Sequence, residues 1–414
     1  MRRLAAMLFL VCSTVAAQPF QVLDPSIVGF RYSGPLSGGV PVLTPGQNLW
    51  ISVDATEHTP RDLRIRTVHC DRDWIPTASE FVNDPFLLTS KKPLPSSPPA
   101  ASVSAYGRTY STSIPTGAGL EPFRHSGNYR AVIIDDENQK ELVSFRFCVA
   151  ERTLPGSLRL GRRRLPMRTA PWDEAHLVSV EVGDDVLSWA EGQPVLQLVR
   201  RIDIYKNREW ASPYRIDLDE LTPSTWVDGL GTSSITFFAG AVMPGNEYRS
   251  LDIRNADVYP ARTLLRARDG SDVSRFLARN QPSDQNGASE IVSAREYADY
   301  ESFEFQLWWE AGDPSLPVYV LGDFNGWTAE DRWKLGVERE SGRFSLTALL
   351  KRGRYDYEYF QADDPVVLEG NSWDTVNLYT GLVYYSDPRL GGYDRILFVS
   401  QTSGNGTDSA KKGR

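Results

Sequence analysis

The chain has 414 residues, a formal net charge of −8 at pH 7 and a pI near 5.3. This acidic balance argues against a nucleic-acid-binding protein, because such proteins concentrate basic residues on one surface. Its 32 glycines and 27 prolines, together with 11 Trp and 18 Tyr, favour short strands over long helices. At about 150 residues per domain, the length predicts two or three domains of a mainly β protein.

The first residues have the pattern of an export signal. Arg2 and Arg3 precede an apolar run over residues 4–11, and small residues lead to Ala17. This order is typical of a secretory signal peptide that is cleaved after Ala17. No later stretch reaches the roughly 20 apolar residues that a membrane-spanning helix needs. We therefore expect a signal peptide over residues 1–17 and an exported chain with no direct transmembrane segment.

Residues 18–150 are predicted to form an N-terminal, immunoglobulin-like β-sandwich. The β-rich runs are residues 49–53, 63–70, 129–134 and 142–149. A polar turn at residues 135–140 joins the last two runs into a hairpin, whereas the Pro/Ser-rich residues 91–101 cannot continue a strand. Cys70 and Cys148 each end one run. Two separate thiols are the favoured interpretation, but the sequence leaves a disulfide bridge open.

Residues 151–290 are predicted to form a middle β-rich domain. Its strand candidates are residues 177–182, 195–205 and 235–238. Residues 261–279 are the best helical stretch, although Gly270 interrupts it. The polar residues 281–289 are predicted to be a linker to the next domain.

Residues 291–400 are predicted to form a C-terminal, early-set-like β-sandwich, followed by a flexible tail over residues 401–414. Phe303, Phe305 and Leu307 alternate with polar residues, as in a half-buried strand. Further strand candidates are residues 318–321, 344–350, 355–360, 381–385 and 396–400. The predicted fold class is therefore mainly β, with tandem β-sandwich domains.

Motifs for catalysis and cofactor binding are absent from the sequence. It has no phosphate-binding G-x-x-x-x-G-K-[ST], no G-x-G-x-x-G, no H-E-x-x-H, no C-x-x-C and no G-x-S-x-G. The four histidines are scattered singly, at positions 58, 69, 125 and 176. We expect no enzymatic activity, no cofactor, no metal site and no small-molecule substrate, although two catalytic carboxylates of a glycosidase need proximity only in space.

A basic run stands out against the acidic chain. Arg162, Arg163 and Arg164 follow one another after Gly161. Such a run can contact an acidic partner or anionic lipid headgroups. It is also typical of an exposed strand edge, where charge discourages edge-to-edge pairing, and we favour that interpretation.

The segment Gly-Asp-Phe-Asn-Gly-Trp at residues 322–327 is similar to a turn of early-set domains that are joined to starch- and glycogen-acting enzymes. Under this resemblance the chain is alternatively a secreted carbohydrate-binding protein, with Trp327, Trp333 and Tyr357 as candidate sugar contacts. Tyr355, Tyr357 and Tyr359 share one face of a predicted strand. Such a face is also typical of core packing.

Ordered blocks along the whole chain resemble the plug protein family of the type IX secretion system. The blocks are HCDRDWIP at residues 69–76, SGNY at 126–129 with the turn at 135–138, GNEYRSLDIR at 245–254, GDFN at 322–325, LKRGRYDYEY at 350–359, and YYSDPR with YDRI at 384–389 and 393–396. The resemblance runs from about residue 27 to residue 399.

The resemblance implies a non-enzymatic function. Members of this family associate from the periplasmic side with a very large outer-membrane β-barrel that exports folded cargo. They close the periplasmic opening when no cargo occupies the barrel. The partner implied is thus the barrel subunit of the translocon, and the place implied is the periplasm, peripherally at the outer membrane. No catalytic residue is implied.

Overall fold

The computed structural model is built almost entirely of β-strands. It describes residues 18–36, 38, 40–166, 171–183, 198–276, 282–292, 298–309, 315–338, 341–362, 364, 366–386 and 391–407. The strands form six sheets, and three hydrophobic cores each join two of them face to face. This confirms the mainly β class with tandem β-sandwich domains. The predicted signal peptide at residues 1–17 lies outside the described residues.

The first sandwich is formed by one continuous stretch of chain. One sheet has the order β1-β9-β8-β5 with β3 beside β9, and the other has the order β2-β4-β7-β6. The strands are β1 (Phe20–Val22), β2 (Ile27–Ser33), β3 (Val42–Leu43), β4 (Leu49–Ala55), β5 (Leu63–Cys70), β6 (Ser96–Ser97), β7 (Arg108–Ile114), β8 (Gly127–Asp135) and β9 (Lys140–Val149). The helix α1 (Pro85–Leu88) lies in the long connection between β5 and β6. The predicted hairpin is β8–β9, and the alternating side chains of both sheets meet in one core.

The second sandwich is formed by two separate stretches of chain. Its sheets have the orders β10-β11-β15-β14 and β13-β12-β25-β26. The strands are β10 (Leu158–Arg164), β11 (Glu174–Gly183), β12 (Val199–Lys206), β13 (Tyr214–Asp217), β14 (Thr225–Asp228), β15 (Ser234–Val242), β25 (Asn377–Ser386) and β26 (Asp394–Gly404). Strand β12 pairs with β25, so the C-terminal hairpin completes a sheet that begins far upstream.

The third sandwich lies between these two stretches in sequence. Its sheets have the orders β16-β24-β19, with β21 beside β24, and β17-β20-β23-β22, with β18 beside β20. The strands are β16 (Arg249–Asp252), β17 (Leu265–Arg266), β18 (Asp272–Val273), β19 (Ser289–Ile291), β20 (Tyr300–Trp308), β21 (Val318–Gly322), β22 (Gly336–Glu338), β23 (Arg343–Lys351) and β24 (Gly353–Gln361). Its core holds Phe303, Phe305 and Leu307 from β20, as their alternation predicts.

Three sequence predictions differ from this arrangement. The predicted helix at residues 261–279 is wrong over the described residues 261–276, which contain β17 and β18 because pairing with β20 overrides the helical preference. The predicted tail at residues 401–414 begins too early, since β26 continues to Gly404. The predicted domain boundary near residue 290 falls within β19. Strands β25 and β26 join a sheet of the middle region, beside β12, rather than one of the C-terminal region.

Candidate docking surfaces

The first and second sandwiches meet through an apolar cluster bordered by charge pairs. Cys148 and Val42 of the first sandwich are buried with Tyr205 and Tyr384 of the second. The Tyr384 hydroxyl donates a hydrogen bond to Asn128 Oδ1 over 2.9 Å. Ion pairs at the border include Arg201 with Asp73 and Arg395 with Glu151. The contact therefore combines apolar burial with fixed polar geometry.

The first and third sandwiches meet at a buried ion pair. Lys351 Nζ lies 2.7 Å from Asp54 Oδ2, and both side chains are almost fully buried. The Tyr300 hydroxyl donates to the same carboxylate over 2.8 Å. Burial lowers the pKa of Lys351, and the neighbouring Asp54 charge opposes that effect. A buried pair of this kind fixes the relative position of two surfaces, because separating it leaves a charge without a partner.

The second and third sandwiches meet through a similar set of contacts. Arg208 Nη1 lies 2.7 Å from Asp323 Oδ1. Asn207 Nδ2 donates to the Tyr248 hydroxyl over 3.1 Å, and the Tyr248 ring packs on Trp327. Every pair of sandwiches is thus in contact, which makes the described chain a compact, three-part body.

A cavity of about 450 Å³ marks the place where the three sandwiches meet. Its lining includes Tyr32 and Trp50 from the first, Arg208 and Trp210 from the second, and Asp323 and Trp327 from the third. Ligand pockets commonly lie at such domain junctions. Of the three charged groups that line this cavity, Arg208 and Asp323 pair with each other, and Arg31 lies 3.5 Å from Asp54 Oδ2.

The predicted basic run lies on β10, which is the edge strand of its sheet. Arg162 Nη2 lies 3.0 Å from Asp374 Oδ1, Arg164 Nε lies 3.1 Å from Asp173 Oδ2, and the Arg163 guanidinium stacks 4.9 Å from the Trp226 ring. All three arginines therefore have partners inside the chain. Their position fits the strand-edge interpretation, and their role as a partner contact stays a prediction.

The candidate carbohydrate contacts are buried. Trp327 and Tyr357 are each 5% exposed and Trp333 is 9% exposed. Phe324 of the Gly-Asp-Phe-Asn turn packs on Trp333, and the Tyr357 hydroxyl donates to Asp272 over 2.8 Å. Sugar stacking needs an exposed ring face, and these rings are used in the core instead. The geometry is therefore against the stacking platform expected under the carbohydrate alternative.

The two buried histidines, His69 and His176, form hydrogen bonds within the chain. His69 Nδ1 lies 2.8 Å from Thr77 Oγ1, and His176 Nδ1 lies 2.8 Å from the Tyr379 hydroxyl. Burial lowers the pKa of both imidazoles to about 4. Among the residues that the structure describes, no group of three or more His, Cys, Asp or Glu side chains is placed to hold a metal ion.

Cys70 and Cys148 are unpaired, which answers a question that the sequence left open. Cys70 on β5 and Cys148 on β9 are both registered with Asn128 of the intervening β8. Two strand spacings, about 9–10 Å, therefore separate them. A disulfide needs Cα atoms closer than about 7 Å.

The connection between β5 and β6 carries exposed apolar side chains that no sequence pattern predicts. Ile75 is 62% exposed, Phe81 83% and Phe86 73%. The connection is nevertheless held in place, since Asn83 Nδ2 donates to the Thr77 carbonyl over 2.7 Å and Asp84 caps α1. Exposed rings on a fixed backbone lose little conformational freedom on binding. In this connection the aromatic and polar residues do not alternate regularly. The sequence therefore gives no indication that these side chains are exposed.

Comparisons with known proteins agree with this description. Residues 31–151 match the family model described as the type 9 secretion system plug protein 1st domain. A solved structure of a hypothetical protein from Parabacteroides merdae ATCC 43184 is similar over 94% of this chain and 99% of that chain, with a TM-score of 0.72 and 18% identity. At this identity the similarity shows a shared fold. No curated protein matches the chain.

The family match covers the first sandwich from β2 to the end of β9. It includes two of the sequence blocks on which the resemblance was based, at residues 69–76 and 126–129. In the described part of the chain, no helix has the length and hydropathy to cross a membrane. The first sandwich is therefore similar to the first domain of the type 9 secretion system plug protein family.

Proposed function

We propose that the chain is a non-enzymatic plug that docks on the periplasmic side of the type IX secretion barrel and closes its channel when no cargo occupies it. The observation that carries this proposal is the match of residues 31–151 to the first domain of the plug family. The family also suggests a periplasmic or outer-membrane-associated place, and the predicted signal peptide at residues 1–17 is consistent with export.

The arrangement of the sandwiches supports a closing function. A pore wide enough for folded cargo leaks small solutes unless a body of comparable width covers it. Contacts between all three pairs of sandwiches, with the buried pair Asp54–Lys351 and the pair Arg208–Asp323, restrict movement of one part against another. A body built in this way keeps its width and shape when it is held at an opening.

Docking also needs an adhesive surface. A specific protein interface buries about 1,200–2,000 Å² in total, and aromatic residues are enriched in its centre. Phe81 and Phe86 are the most exposed large apolar side chains of the described residues. A groove of about 510 Å³ is lined in part by Phe81 and Phe123. We propose that these two rings are anchors of the interface with the barrel.

Deletion and co-purification in the cell of origin test the function. We expect deletion to make the cells more permeable to antibiotics that the outer membrane normally excludes, while cargo export continues. A tagged chain extracted with mild detergent should co-purify with a large outer-membrane barrel. Unchanged permeability together with no barrel in the purified fraction would contradict the proposal.

The anchor residues are tested by a double variant. Phe81→Ser with Phe86→Ser should reduce the co-purified barrel and reproduce the permeability of the deletion. Trp308→Ser is the matched control, because Trp308 is 52% exposed on the third sandwich. Equal recovery of the barrel with both variants would exclude the two phenylalanines as anchors and leave the plug function standing.

A further inference from the structure

The outer face of the sheet β1-β9-β8-β5 carries adjacent arginines. In the register of this sheet, Arg130 on β8 lies directly opposite Arg146 on β9. Arg66 on β5 lies opposite Val132, two residues further along β8. Phe145 and Phe147 of β9 point into the core, so Arg146 between them points outward, and its register partner Arg130 shares that face.

Neither Arg130 nor Arg146 forms an ion pair within the part of the chain that the structure describes. Arg130 is exposed. The Arg146 guanidinium lies 4.8 Å from the Trp74 ring, and its Nη1 is buried without a hydrogen-bond partner. Arg66 is exposed and donates to the neutral Gln139 side chain over 3.0 Å.

The partly buried Arg146 contrasts with three buried arginines elsewhere in the described residues, which have carboxylate partners. These are Arg201 with Asp203, Arg249 with Glu369, and Arg352 with Glu301. Like charges directly opposite each other on a sheet destabilise it. The chain has 53 acidic residues against 45 basic ones, so acidic partners are not scarce. A repulsive pair on this face is therefore a cost that binding of an anion would remove.

The location of the arginines limits what the anion can belong to. Two residues further along the strands, Asn128 lies between Cys70 and Cys148, and Tyr384 of the second sandwich covers this row. Arg130 and Arg146 consequently lie in the corner between the first and second sandwiches. A flat bilayer surface does not reach into such a corner, whereas a protein segment does.

We propose that Arg66, Arg130 and Arg146 bind an acidic segment of a protein partner through its Asp and Glu carboxylates. Guanidinium groups form short, charge-assisted and often bidentate hydrogen bonds with carboxylates. Building on the proposed function, the partner is the barrel subunit, and the acidic segment lies at its periplasmic opening.

A binding experiment with purified mature chain tests the surface by itself. The probe is a fluorescent ten-residue glutamate peptide, and vesicles containing phosphatidylglycerol are the lipid comparison. We expect saturable peptide binding that weakens as salt rises to about 0.5 M. In the double variant Arg66→Glu with Arg130→Glu, the affinity should fall about tenfold or more, as the loss of a charge-assisted hydrogen bond gives. Arg268→Glu, an exposed change of the same charge on the third sandwich, should bind like the original chain.

A stability measurement separates loss of binding from loss of folding. Arg130→Glu replaces a like-charge pair with an opposite-charge pair beside Arg146, so its thermal midpoint should rise while peptide binding falls. Equal peptide affinity for the original chain and the double variant would overturn the proposal. Binding to the vesicles but not to the peptide would also overturn it.

Co-purification distinguishes this inference from the proposed function. If the original chain recovers the barrel and the double variant at residues 66 and 130 does not, the arginine surface faces the barrel. If both recover it equally, the inference fails and the plug function stands. If the original chain recovers no barrel, both the proposed function and the identification of the barrel as the partner fail. The peptide experiment then decides whether the arginine surface binds acidic segments.

Discussion

The first and second sandwiches have the same architecture, but the first is formed by one continuous stretch of chain and the second by two separate stretches. The first is formed between Phe20 and Val149 without interruption. The second combines strands between Leu158 and Val242 with the hairpin β25–β26, and the whole third sandwich is inserted between them. The comparison teaches that a continuous sandwich is locally encoded, whereas a divided one depends on segments that are far apart in sequence.

The two parts of the second sandwich are joined next to the insertion. Asn207 Nδ2 donates to Asn377 Oδ1 over 2.7 Å, and the Leu378 backbone N–H donates to Asn207 Oδ1 over 2.8 Å. These residues follow β12 and begin β25. The paired asparagines therefore fix the register at which the returning chain enters the sheet. Pairing of such distant strands closes a long loop, which costs conformational entropy before any contact forms.

Among the changes considered, removal of the C-terminal hairpin should destabilise the second sandwich most. A chain that ends at residue 376 lacks β25 and β26, so the sheet β13-β12-β25-β26 keeps only a two-stranded remnant. Two-stranded hairpins are marginally stable in water. We expect the second sandwich to be unfolded, with rapid proteolysis between residues 158 and 242 and loss of the dispersed amide signals of that region.

The matched fragment is residues 18–152, which contains every strand of the first sandwich. We expect it to fold independently, with dispersed amide signals and a cooperative thermal transition. A folded second sandwich in the shortened chain, or an unfolded fragment 18–152, would contradict the role assigned to chain continuity.

The same difference explains how much of the fold could be predicted from the sequence. The strand β5 was predicted with the bounds that the structure shows, and the hairpin β8–β9 follows from its polar turn. Strands near residues 195–205 and 381–385 are also predicted by the sequence, but the pairing of β12 with β25 is not. Alternation of side chains indicates a strand, whereas no local pattern names a partner that lies about 170 residues away.

The candidate surfaces were harder to predict than the fold. Arg162 to Arg164 are adjacent in sequence and conspicuous, yet each has a partner inside the chain. Arg130 and Arg146 are separated along the chain and become neighbours only through the register of β8 and β9. A predicted hairpin with its register would have placed them side by side. Their lack of carboxylate partners depends on three-dimensional packing and had no sequence signal.

The buried pair at the contact of the first and third sandwiches should show the next largest effect. Asp54→Ala leaves Lys351 buried without its carboxylate, which typically costs about 3–5 kcal/mol of folding free energy. Chemical denaturation measures this loss. Glu57→Ala is the control, because the Glu57–Arg61 pair is partly exposed and should contribute less than about 1 kcal/mol.

A double variant completes this measurement. Adding Lys351→Met to Asp54→Ala removes the unpaired charge, so most of the lost stability should return. If both single variants and the double variant are equally unstable, packing at this contact matters more than the charge pair.

The buried histidines permit a comparison by pH. The pKa of His176 is about 4 in the folded chain against 6.5 for the ordinary imidazole, so the unfolded chain binds a proton that the folded one does not between these values. The contribution of His176 to the free energy of unfolding is therefore fully present above pH 6.5 and is lost as the pH drops toward 4. This difference in pKa between the folded and unfolded chain corresponds to a loss of about 3 kcal/mol of unfolding free energy below pH 4.

His176→Gln should remove this part of the acid sensitivity from the second sandwich, and His69→Gln should do the same for the first. The difference in unfolding free energy between each variant and the original chain is measured from pH 7 to pH 4. We expect each difference to shift in favour of the variant as the pH falls. A difference that is constant with pH would show that the imidazole titrates normally in the folded chain.

The smallest effect is expected for the two thiols, of which Cys148 lies where the first sandwich contacts the second. Cys148 Sγ donates to Asn128 Oδ1 over 3.0 Å, and a serine hydroxyl can form the same hydrogen bond. Because no bridge joins Cys70 to Cys148, changing both to serine should cost about 1 kcal/mol, typical of single substitutions. Loss of a native bridge would cost about 2–4 kcal/mol and would depend on the reductant. Unfolding of the original chain and the variant with and without reductant makes this measurement, and a reductant-dependent loss in the original chain alone would show that the two thiols are joined.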